Sequence, residues 1–400
     1  MVFWALETQI RLHNSPNKQR AKIQILFEIM KRILSILLFF CIVLLSNAEN
    51  NHVIKAKLLG VKVLPFYGFK TIEGLNPSAG AEISYEYLPL GRYDWERHWM
   101  YPSLGISLSG MDLGKREFGQ MFALYPYINW QLAKSRHVEF GVKLGMGASF
   151  LAKTNQTNGA YAGVFFATGI NLQFNIDKIS ALTLEVGTNH TNNGEIFLPN
   201  QTMNIVYGSF GYRRQLGEGV YKEPSRSRYV PDLKYDFMIN NTLSVGARHN
   251  PQSATINAKF NYHGDILWKM TNCYAMGPGI DFGYAPEDIK LALTFSNAFT
   301  MGRLFGIVDG GVYLYDSEAI SAGYKDFFYT KFDSNKADGK LFLRAGLRYH
   351  MVKGLYAQAT IRTHLKKFDY IEFGVGYSFQ KDLSEKRSKN SCKCAKHYRH

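Results

Sequence analysis

Thr188-Asn-His-Thr-Asn-Asn193 sets one histidine, His190, among short polar residues, with Glu195 and Asn204 following. A neutral imidazole is the usual general base near pH 7. Ester or amide hydrolysis by a covalent route also needs a nucleophile beside that base and a group that orients it. Asn192 lies two residues from His190 and has no hydroxyl. Asn204 can accept a hydrogen bond from an imidazole but cannot stabilise imidazolium by charge. Three substitutes are close in sequence. Thr188 shares a strand face with His190, Thr191 points the opposite way, and Glu195 lies beyond the strand in a loop. The plainer reading of the stretch is a turn boundary, since turns favour Asn and Gly.

The elements that must carry these residues read in steps of two. Leu182, Leu184, Val186, Thr188, His190 and Asn192 alternate with Thr183, Glu185, Gly187 and Asn189. Successive side chains on a strand point to opposite faces, so His190 stands at the end of an oily face. The same alternation recurs from about residue 54 onward, as in Val138–Met146, Ile289–Phe295, Leu341–Tyr349 and Leu355–Ile361. In the last such segment Ile371, Phe373, Val375, Tyr377 and Phe379 oppose Glu372, Gly374, Gly376 and Ser378. Segments of about ten residues match tilted crossings of a membrane by strands. Arg344, Arg348 and Arg362 fall mid-strand on the non-oily face, which suits a polar lumen. Only a closed barrel satisfies every strand backbone group in hydrocarbon.

The fold expected is therefore all-β, a transmembrane antiparallel β-barrel. A single barrel of about 12–16 strands is preferred, with two tandem eight-stranded barrels as the alternative. The halves are 49–214 and 233–380, joined by a charged, Pro-containing linker at 215–232. Each ends in a His-bearing strand followed by a Gly/aromatic strand, which hints at duplication.

Met30 to Asn50 reads as an export signal. Lys31 and Arg32 precede the apolar run Ile33–Leu45, and Ser46-Asn47-Ala48 offers a cleavage site. The signal spans 30–48, and residues 1–29 are expected to be a mis-assigned extension ahead of a true start at Met30. The basic segment 381–400 carries a net charge of +5 and reads as a disordered tail. It accounts for part of the overall +15. Tyr398 is the one Phe, Tyr or Trp among its basic residues, so a nucleic-acid partner is not expected. Four cysteines without ligand spacing argue against zinc. His350 and His364, with Arg348 and Arg362, are expected to join a lumen hydrogen-bond network.

The stretch Gly187 to Arg214 resembles the PagL family of lipid A 3-O-deacylases, often labelled acyloxyacyl hydrolases. That family carries a His-x-Ser-Asn motif on a barrel strand, then Pro-Asn-x-Gly-x-Glu. His190 takes the His position, Asn193 the motif Asn, and Pro199-Asn200 the Pro-Asn pair. Asn192 stands where the nucleophilic Ser belongs, Thr202 at the Gly and Asn204 at the Glu. The resemblance implies an integral outer-membrane barrel of a Gram-negative cell, acting on lipid A, needing no cofactor or metal and inserted by the barrel-insertion machinery. The catalytic positions it implies are His190, Asn192 and Asn204. With Ser and Glu replaced, the alternative is a catalytically inactive barrel acting as channel, scaffold or lipid-binding protein. A porin would follow from about sixteen strands in one ring.

Overall fold

The structure, a computed structural model, describes residues 51–64, 75–89, 94–154, 159–193, 202–216, 236–250, 255–271, 273–286, 288–317, 340–352, 354–364 and 367–381. The expected signal, the 1–29 extension and the basic tail beyond 381 lie outside these residues. So do most of the linker and Glu195, Pro199 and Asn200.

The alternating segments form sixteen antiparallel strands. The first eight are β1 (His52–Leu64), β2 (Ser78–Tyr87), β3 (Ser103–Asp112), β4 (Gln120–Lys134), β5 (Val138–Leu151), β6 (Ala162–Asn175), β7 (Ser180–Asn192) and β8 (Met203–Gln215). A short helix, α1 (Asp94–His98), lies between β2 and β3. The second eight are β9 (Phe237–Asn250), β10 (Thr255–Thr271), β11 (Tyr274–Ala285), β12 (Asp288–Met301), β13 (Leu304–Asp316), β14 (Leu341–Val352), β15 (Leu355–His364) and β16 (Lys367–Lys381).

β8 pairs back onto β1 and β16 onto β9, so the chain makes two closed eight-stranded barrels. This corrects the preference for one ring of 12–16 strands. Alternation specifies which face of each strand is oily but not which strand closes the ring. Here each half satisfies its own edges.

The outward faces are apolar, with Leu58, Val186, Phe210, Leu243 and Phe373 among the most exposed side chains. An eight-stranded barrel is just wide enough inside for side chains to fill. In the first barrel Lys57 pairs with Glu82 at 2.8 Å and Glu185 at 2.7 Å. Lys143 reaches the same two carboxylates at 3.4 and 2.5 Å. Tyr125 and Tyr207 donate to Glu82 and Glu185. In the second barrel Arg344 and Arg362 bridge Asp281 and Glu372, and Arg348 meets Asp265. Each of these buried charges thus has an opposite partner, the condition under which burial of charge is tolerated. Apolar layers add to the seal. Leu113 and Phe118 cap the first barrel, and Met238, Leu267 and Phe305 close one end of the second.

Each barrel has a terminal end, where its first and last strands begin and finish, and a loop end opposite. Trp99, at the terminal end of the first barrel, lies 6.3 Å from Trp130 of β4 and 6.3 Å from Phe299 of β12. Its indole N–H donates to the Thr300 carbonyl at 3.0 Å. One side chain thereby touches both barrels.

Candidate functional site

His190 lies near the loop end of β7, on the outward face that the alternation assigned to it. The register sets four residues side by side across β6, β7, β8 and β1. Phe166 faces His190, His190 faces Asn204, and Asn204 faces Leu64. The Phe166 ring centre is 6.1 Å from the imidazole. Below this row run Thr168, Thr188, Val206 and Lys62, and the two threonine hydroxyls are 2.9 Å apart. Lys62 is exposed on the same outward face.

The three predicted positions come together. Nδ1–H of His190 donates to Asn204 Oδ1 at 2.8 Å. Asn192 Nδ2 donates to His190 Nε2 at 3.3 Å. An amide acceptor thus sits at one ring nitrogen and an amide donor at the other, with no nucleophilic hydroxyl among the three. Asn204 holds the imidazole as the Nδ1–H tautomer and leaves Nε2 with its lone pair. The amide of Asn192 then occupies that lone pair where a hydroxyl would otherwise sit.

Asn192 is 2% exposed, while His190 and Asn204 are half-buried. Gly163 on β6 allows this close packing. A Cβ there would lie 2.3 Å from the Asn192 carbonyl oxygen.

The substitute nucleophiles fare differently. Thr191 is fully buried inside the barrel, its hydroxyl 2.5 Å from that of Ser149. The strand's alternation already placed it there. Thr188 stays on the outward face, engaged with Thr168. Lys62 and Phe166 belong to the site's surroundings and were not singled out from sequence. Only strand register shows that β1 and β6 flank the motif.

His350 and His364 are both inside the second barrel, as expected, but at opposite ends. His364 meets the Tyr313 hydroxyl at 3.3 Å, whereas the His350 ring lies tilted against Phe305, 4.5 Å between centres, with both ring nitrogens unbonded.

A closed barrel with an oily exterior and a polar lumen defines a class, the transmembrane β-barrels. The family model described as lipid A 3-O-deacylase (PagL) matches residues 79–213. The one described as acyloxyacyl hydrolase, C-terminal domain, matches residues 234–381. The chain belongs to the PagL lipid A deacylase family, with one match on each barrel.

No curated protein sequence matches the chain. Solved structures similar to it include Neisserial surface protein A, at 10% identity and TM-score 0.30, covering 41% of this chain and 96% of that one. A de novo designed transmembrane β-barrel matches at 10% identity and TM-score 0.24, covering 37% and 99%. The toluene transporter TodX of Pseudomonas putida matches at 9% identity and TM-score 0.17, covering 85% and 91%.

Proposed function

We propose that this protein hydrolyses an ester-linked 3-hydroxyacyl chain of lipid A, with water as the nucleophile and His190 as its base. The observation that carries this reading is the Asn204–His190–Asn192 chain on the lipid-facing surface. Family membership supplies the substrate class. Polar groups on a barrel exterior are costly deep in hydrocarbon and tolerable near an interface. The loop end of β7 is such a place. Outer-membrane barrels keep short turns inside the cell envelope and longer loops outside. Connections 135–137 and 176–179 at the terminal end of the first barrel, against 65–77, 152–161 and 193–202 at the loop end, favour this orientation in an outer membrane, with 88–102, which carries α1, the one long connection at the terminal end. The site then lies level with the outer leaflet, where lipid A resides.

In the reaction, His190 Nε2 takes a proton from water as the oxygen adds to the ester carbonyl. Asn192 turns its amide N–H from the imidazole to the developing oxyanion. The tetrahedral intermediate collapses, the C–O bond to the sugar breaks, and the imidazolium returns its proton to the sugar oxygen. The products are a 3-hydroxy acid and the deacylated lipid. Asn204 keeps the imidazole oriented throughout. Lacking a negative charge, it stabilises the imidazolium less than a carboxylate would.

A second reading has its own observation. Asn192 caps the nitrogen that must act as base. On this reading the barrel holds the lipid without cutting it. Mass spectrometry of lipid A from cells producing the protein separates the two. Loss of one 3-hydroxyacyl mass with the wild type, abolished by His190→Ala, supports hydrolysis. Unchanged lipid A with the wild type, but deacylation with Asn192→Ser plus Asn204→Glu, establishes a lipid-holding site that has lost its reaction. Silence from every variant sinks both the hydrolytic reading and the lost-reaction reading.

A further inference from the structure

The terminal end of the first barrel opens into a cavity of about 800 Å³, far from His190. That volume is the size of an ordinary small-molecule site. Its floor carries Arg213 of β8, and its rim carries Lys134, Arg136 and Lys178 from the β4–β5 and β6–β7 turns.

Both carboxylates on the lining are already engaged. Glu139 accepts from Gln131 at 2.7 Å and from Asn175 at 3.4 Å, and pairs with Lys134 at 3.1 Å. Asp177 accepts from the backbone N–H groups of Ile179 and Ser180, both at 2.7 Å. The Ile179 bond, with that from Ser180, holds its carboxyl below the ordinary value. Arg136, Lys178 and Arg213 make no side-chain hydrogen bond or ion pair among the described residues. Arg213 is the telling one. It is 7% exposed and lines the cavity. Glu86 feels its charge, but that carboxylate is bonded to Lys55 at 2.6 Å and to the Tyr127 hydroxyl at 2.9 Å. Its guanidinium therefore opens on the cavity with no protein acceptor among the described residues. Every other buried cation named above in the two barrels has a partner.

We propose that this mouth binds a small organic oxyanion, a molecule bearing phosphate or carboxylate, with Arg213 forking two oxygens and Arg136 and Lys178 closing over the charge. A planar guanidinium matches both oxyanions in bidentate fashion. Leu88, Pro89, Tyr101 and Ile176 on the same lining would cover an apolar portion of the ligand. On the orientation proposed above, the mouth faces the periplasm and is separate from the lipid site.

The test is isothermal titration of the full-length protein in a non-ionic detergent at low salt, with inorganic phosphate in one arm and citrate in the other. One saturable site per chain is expected for at least one anion. Affinity should fall roughly tenfold or more in Arg213→Gln, the loss expected for hydrogen bonds to a charged group. The double variant Arg136→Gln with Lys178→Gln, confined to exposed turns, should weaken binding and flatten its dependence on salt. Binding of phosphate alone identifies a phosphoryl ligand, and of citrate alone a carboxylate. Heat-modifiable gel mobility establishes that each variant is folded. Without anion, Arg213→Gln should resist denaturant at least as well as wild type, because it removes an unpaired charge. A merely structural arginine would lose stability instead. No saturable heat with either anion, or equal affinity in Arg213→Gln and wild type, overturns the proposal.

Discussion

Two residues with identical side chains, Asn192 and Asn204, do opposite things to one imidazole. Asn204 accepts from it and Asn192 donates to it. An amide can fill either role, which a serine–glutamate pair would divide between a hydroxyl and a carboxylate. The trio was legible as positions, because the motif resemblance aligned His190, Asn192 and Asn204. Their closeness was not, since contact across β7 and β8 depends on a register that alternation alone leaves free. Arg213 and its cavity were missed altogether. An arginine near the end of a strand looks like any solvated charge until its neighbours are known. Inside the barrel, Lys143 sits between Glu82 and Glu185. Lys143→Met leaves two carboxylates crowded together, sharing Lys57 as their remaining ion-pair partner beside tyrosine and serine hydroxyls. Breaking one partner of a buried pair costs about 3–5 kcal/mol. Urea unfolding of the refolded protein in lipid vesicles should show the first barrel losing stability on that scale and the second unchanged.

The strands show how far periodicity reaches. The oily sets read from sequence in β5, β12, β14, β15 and β16 all face outward in the structure. Residue alternation has a period of two and no memory of neighbours, so it assigned the faces correctly and left ring size open. Val186, at the level below Thr188 on β7, is 62% exposed on the outward face. Val186→Arg places a guanidinium against lipid tails. The cost should be about 2–4 kcal/mol if the residue is near the bilayer midplane, and less toward the interface. Folding titrations of this variant therefore measure the depth of the proposed site. A negligible effect would put this level of the barrel outside the hydrocarbon and remove the lipid-facing premise.

For the molecule as a whole, two filled barrels replace the wide ring that a porin needs. Arg344, Arg348 and Arg362 are almost wholly buried in the second lumen, and the first is occupied by Lys57, Lys143 and their carboxylates. Reconstitution into planar bilayers should give no steady ohmic conductance of the size a water-filled pore produces. Regular large steps would show that these networks open and would revive the channel alternative. The second barrel carries the C-terminal-domain match, and among its described residues there is no outward trio like that of the first. Its lumen differs too, centred on arginines where the first is centred on lysines, with buried tyrosines in both.

Closure of each ring on itself has a consequence for parity. β1 lies beside β8 and β9 beside β16, so the chain re-emerges from every unit on the side where it entered. A unit of even crossing number can be added, deleted or exchanged without inverting anything downstream. Lys381, the last residue of β16, keeps its side whether one barrel precedes it or two. Each barrel is thus a heritable cassette, free to diverge in its lumen and on its face while its neighbour keeps its own orientation.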